Sequence, residues 1–96
     1  MSPEAFKRSL SSDQPPPGTA PPLVALWWSK KGDWDRAHEI VMNDEGSDAA
    51  WVHAHLHRVE GDDVNAGYWY RQARKRAAGA TAEVEWDMMV ADLLAK

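Results

Sequence analysis

The dipeptide Gly-Asp occurs twice in the middle of this chain, at Gly32-Asp33 and Gly61-Asp62, each time between two stretches of helical periodicity. A glycine can end a helix in the left-handed conformation, and an aspartate can cap the next helix by accepting from its free N–H groups. Two such corners, 29 positions apart, predict two helix–turn–helix units built on one plan. With the corners superposed, Ala37 falls on Ala66, Val41 on Tyr70, Trp28 on His57 and Ala25 on Ala54. The small residues at matching places let paired helices approach closely.

The remaining elements follow from caps and apolar stripes. A first helix is expected from Pro21-Pro22 to Lys31, apolar all round in its first half and so touched on more than one side. Asp33 caps a second helix, Trp34 to about Asn43, with Trp34, Ala37, Ile40 and Val41 inward. Ser47 or Asp48 caps a third, which ends at Gly61. Asp62 caps a fourth, with Ala66, Trp69, Tyr70, Ala73 and Ala77 inward. Thr81 caps a fifth, closing the core with Trp86, Met89, Val90, Leu93 and Leu94, while Glu83 and Glu85 suit its positive end. No stretch reads as a strand, so the expected fold is all-α: two antiparallel hairpins and a C-terminal capping helix. Residues 1–20 read as a flexible Ser/Pro-rich segment, in which Ser2-Pro3-Glu4 can open one helical turn whose Phe6 and Leu10 share a side that can dock on the domain.

Ala25, Trp28, Gly32, Trp34 and Ala37, then Ala54, Gly61, Ala66, Tyr70 and Ala73, resemble the tetratricopeptide-like helical hairpin, with its small residues in both helices and its Gly-Asp-aromatic turn. Asp63 replaces the second turn aromatic, and the spacing is 29 where that family has about 34. The resemblance implies that residues 21–96 form a TPR-like domain. The stretches 25–40 and 50–71 also resemble a group of small uncharacterised bacterial proteins with Trp-Val-His-Ala…Leu-His-Arg…Glu-Gly-Asp…Asn-Ala…Tyr-Trp-Tyr-Arg runs. That likeness implies no activity.

One strip of the third helix carries candidate chemistry. At 100° per residue, His53, His57 and Glu60 line up, and two histidines four residues apart can share a metal ion, with Glu60 adding an oxygen. Asn65, Tyr68 and Arg71 on the next helix extend the strip into a candidate ligand site. Judged by its own helix, the strip faces water. Judged by the repeat, His53 and His57 take the places of Val24 and Trp28 and face inward, and the repeat register is preferred. His55 is expected to pack near Trp51, and His38 to be an ordinary surface histidine.

Composition bounds the function. Six tryptophans in 96 residues supply the bulk that a small core needs. The chain has no cysteine, which excludes disulfides and thiolate metal sites and suits the cytoplasm. A net charge of −4 argues against nucleic acid as a partner, and no apolar run approaches membrane-spanning length. Neither a nucleophile motif nor a glycine-rich phosphate loop is present, which argues against an enzyme. The leading expectation is a small protein-interaction or assembly module that binds a protein, a peptide or a second copy of itself as a homodimer. The rival is a metal- or small-ligand-binding protein built on the strip, with a divalent metal as the one cofactor in view.

Overall fold

The computed structural model describes all of residues 1–96 and contains helices and no strand. In chain order these are α1 (Pro3–Arg8), α2 (Pro21–Lys30), α3 (Trp34–Met42), α4 (Ser47–Val59), α5 (Asp63–Ala73) and α6 (Ala82–Leu94), with a short 3-10 turn at Ser9–Ser11. α2 packs on α3 and α4 on α5; α4 also touches α2, α3 and α6, which makes it the central element. It is buried nearly all round, from Ala49 to His57. No helix is long and apolar enough to cross a membrane.

The two corners have the same hydrogen bonding. Gly32 and Gly61 take φ of +91° and +85°, where a Cβ would be strained. Asp33 N–H donates back to Trp28 O at 2.9 Å, and Asp62 N–H to His57 O at 2.8 Å. The aspartates then cap forward: Asp33 Oδ1 accepts from Arg36 N–H, and Asp62 Oδ1 from Asn65 N–H, both at 3.1 Å. Each corner thus satisfies the last carbonyls of one helix and the first amides of the next.

Three details depart from the sequence expectation. α4 begins at Ser47 with Gly46 as its N-cap. α5 stops at Ala73, because Arg74 adopts the left-handed conformation (φ 57°), so Ala77 lies outside the helix and is exposed. Residues of the N-terminal segment join the domain. Phe6 is fully buried against Trp86, and Trp27 Nε1 donates to Ser9 Oγ at 3.0 Å. Lys31 Nζ donates to Leu10 O and Ser12 O at 2.8 and 3.0 Å. Burying a phenylalanine contributes about 2–3 kcal/mol, enough to explain why a short helix that is marginal alone forms here.

Candidate metal centre

α3 and α4 belong to different hairpins, and histidines from both meet where the helices cross. Trp34 at the start of α3 donates its Nε1–H to Leu56 O of α4 at 2.7 Å, which fixes the crossing. One turn further along α3, His38 stacks on the Trp34 ring at 4.7 Å and 12°. From α4, His53 presents Nε2 at 3.0 Å from His38 Nε2. His57, one turn along, lies parallel to His53 at 5.0 Å, and Trp69 of α5 stacks on the other face of His53 at 4.0 Å. Three imidazoles are therefore held between two indoles, with one ring nitrogen from each inside 4.8 Å of the others.

A tetrahedral ion bonded to imidazole nitrogens at about 2.0–2.1 Å requires nitrogens roughly 3.0–3.5 Å apart. The His38–His53 pair already has that separation. A ring nitrogen of His57 lies within 4.8 Å of both, so this ring has to draw in to complete the set. Its Nδ1 donates to Glu60 Oε2 at 2.7 Å, which fixes the tautomer and leaves Nε2 as the free donor atom. A carboxylate behind a ligating histidine raises the ring's basicity and sets its orientation. His53 has no such brace: its Nδ1 is buried without a partner, and Trp69 holds the ring by stacking.

The electrostatics keep His38 and His53 neutral. Burial, then the neighbouring His38 and His57, push His53 from 6.5 down to about 4. Burial and His57 likewise lower His38, against a smaller opposing pull from Glu60 and Asp35. A neutral ring is the form that binds a metal, so protons compete weakly with an ion here. His57, Glu60 and Asp62 form a second group of ligating type. It is more exposed, and Asp62 is already committed as the cap of α5.

The inward placement of His53 and His57 agrees with the repeat register: they are 4% and 7% exposed. Glu60 joins them, standing behind His57. Asn65, Tyr68 and Arg71 are exposed on α5. Asn65 Nδ2 bonds Asp62 Oδ2 at 2.9 Å, and Tyr68 meets the edge of Trp69 at 5.0 Å. His38 is the residue that the sequence reading misplaced: it is partly buried in the cluster. Its signal was its place on the stripe Trp34, Ala37, His38, Val41, whose i, i+3, i+4, i+7 spacing marks an inward face.

A second polar cluster lies on the far side of α4. His55 is 1% exposed and donates Nδ1–H to Glu85 Oε1 at 2.7 Å. Glu85 lies in the first turn of α6, as expected, and is equally buried there. It also accepts from Tyr70 Oη at 2.8 Å and Ala78 N–H at 2.9 Å, with Arg58 Nη1 3.2 Å away. Burial alone would raise the Glu85 carboxyl; the hydrogen bonds from His55, Ala78 and Tyr70 outweigh it and bring it to about 2. The same environment raises the Tyr70 hydroxyl, by burial first and Glu85 second.

No protein-family model matches the chain, and neither the curated proteins nor the solved structures contain a match to it.

Proposed function

We propose that this chain is a small helical metal-binding protein that holds one divalent transition ion, zinc first, on His38, His53 and His57. The observation that carries the proposal is the 3.0 Å approach of two imidazole Nε2 atoms from different helices, beside a third imidazole braced by a carboxylate. All-nitrogen donors suit zinc, copper(II) or nickel(II) and disfavour calcium and magnesium. Such an ion would tie α3 to α4 and so lock the two hairpins together. Three protein ligands leave a fourth position for water or for a donor from a partner. Cytoplasmic residence and a bacterial source accompany this reading, on the absence of cysteine and the likeness to small bacterial proteins.

Equilibrium dialysis of untagged protein against zinc tests it. One ion per chain is expected, with His38→Ala and His53→Ala each weakening affinity by at least about 100-fold, a loss of roughly 2.7 kcal/mol. No binding by folded protein would reject it.

A second reading, a protein-interaction or assembly module, draws on a different observation. A cleft of about 540 Å³ lies between the end of α3, the start of α4 and α5, bordered by Met42, Tyr68 and Trp69. Met42 and Tyr68 are each about half exposed (48% and 47%), and aromatic side chains are enriched in partner-binding surfaces. The tetratricopeptide-like likeness favours a peptide or a second copy as occupant. Light scattering across a concentration series tests the homodimer, and a strict monomer at high concentration removes it.

A further inference from the structure

The His55–Glu85 pair has a side that the metal reading does not use. His55 lies at the floor of a separate cleft of about 470 Å³, formed by the end of α2, by α4 and by the first turn of α6. With Nδ1 committed to Glu85, the ring's remaining polar atom is Nε2, which has no protein partner and is not sealed from solvent. A histidine that is 99% buried, is oriented by a buried carboxylate and has one free nitrogen in a cleft is a built recognition element.

The rest of the cleft supplies positive potential. Ala82 and Glu83 line it, and they are the first two residues of α6. Thr81 Oγ1 caps by accepting from Val84 N–H, and Glu85 N–H bonds Thr81 O. The N–H groups of Ala82 and Glu83 are left without protein acceptors, at the positive end of a 13-residue helix. Lys30 brings its ammonium in from α2, seated over the Trp86 ring at 5.0 Å. Arg58 also borders the cleft, but its guanidinium is already engaged by Ala80 O and Glu85. The opposing charges are Glu83, exposed on the rim, and the Glu85 carboxylate behind His55, which Arg58 offsets at 3.2 Å.

We propose that this cleft is a binding site, independent of the metal centre, for a small hydroxylated anion: a hydroxycarboxylate or a phosphate monoanion. The anionic oxygens meet the free N–H groups of Ala82 and Glu83 and the Lys30 ammonium. The ligand's hydroxyl donates to His55 Nε2, which accepts because its Nδ1 carries the ring hydrogen. Trp86 walls the site on its apolar side.

Two-dimensional amide NMR of the metal-free full chain, titrated with lactate, with inorganic phosphate and with acetate, tests this. The Ala82 and Glu83 amides and the Trp86 indole N–H should shift saturably, with a Kd on the order of 1 mM or tighter for lactate or phosphate. Acetate, which lacks the hydroxyl, should bind several-fold more weakly. Lactate alone or phosphate alone saturating the site would support the proposal and identify the anion type. Lys30 and Glu83 are both exposed, so their variants keep the fold and act in opposite directions. Lys30→Gln should weaken binding about tenfold, and Glu83→Gln should tighten it, since Lys30 attracts the anion and Glu83 repels it. Absence of saturable shifts with both lactate and phosphate, or an unchanged Kd in Lys30→Gln, would overturn it. Neither outcome bears on the histidine triad, which lies on the opposite side of α4.

Discussion

His38 and His53 stand 15 residues apart in sequence and face each other Nε2 to Nε2 at 3.0 Å, one from each hairpin. In the metal-free protein one ring donates its N–H and the other accepts. An ion that takes both Nε2 lone pairs requires the donor ring to carry its hydrogen on Nδ1 instead, so binding is coupled to a tautomer shift with no net proton release. The cluster is thus both a joint between hairpins and a set of ligands.

Glu60 acts through His57, so its removal should lower metal affinity without unfolding the protein. Glu60→Gln keeps the shape but weakens the brace on Nδ1, and losing a carboxylate that orients a ligating histidine costs roughly 10–100-fold in affinity. Competition with a chromophoric chelator measures the change. Because Glu60 is exposed, the thermal midpoint of the metal-free variant should stay close to that of the parent.

Metal-free stability should fall as the solution is acidified through the window set by His53. Its folded pKa is about 4 against 6.5, so between those values the unfolded chain binds a proton that the folded site refuses. Stability from this group is present above 6.5 and is lost as pH falls to 4, by up to about 3 kcal/mol. His38 adds in the same direction. Urea unfolding at neutral pH and at about pH 4.5 should show the loss, and His53→Gln should reduce it. Saturating metal should shift the window further, since bound ion and proton compete for the same nitrogens.

Glu85 governs a lower window. Its pKa falls from 4.5 to about 2, so its contribution is present above 4.5 and lost as pH drops toward 2. Glu85→Ala leaves His55, Tyr70 and Ala78 N–H without their shared acceptor and Arg58 without its ion-pair partner. The expected cost is about 3–5 kcal/mol, as for other broken buried pairs. Chemical denaturation at neutral pH checks it, and a cost below about 1 kcal/mol would show that the buried network is not what holds α6 to α4 and α5.

Much of this was legible in the sequence because glycine and aspartate leave little freedom at a corner. Gly32-Asp33 and Gly61-Asp62 gave both turns and both caps, and superposing them turned His53 and His57 inward. The residues that escaped are those whose burial is set by tertiary partners. His38 and Glu85 each lie on an apolar stripe, yet each had a local explanation as a polar surface group. Only the approach of α3 to α4, and of α6 to α4, supplies the partners that make burial affordable. Phe6 shows the same limit: its side of α1 was visible, while the surface formed by Trp86 that receives it was not.

Arg74 offers a prediction of opposite sign. It ends α5 in the left-handed conformation, φ 57°, with Lys75 N–H donating to Tyr70 O at 2.9 Å. Gly32 and Gly61 fill the equivalent place at the other corners. Arg74→Gly removes the steric cost of a Cβ there and should stabilise the fold by about 1 kcal/mol. A rise of several degrees in thermal midpoint would register it.

Zinc-soaked crystals, measured at the zinc absorption edge, test the central claim most directly. One anomalous peak is expected, about 2.0–2.1 Å from a ring nitrogen of each of His38, His53 and His57, with Glu60 retained on His57 Nδ1. A peak confined to Glu60 and Asp62, or none near the three rings, would contradict the assignment and leave the cluster as a hydrogen-bonded joint between hairpins.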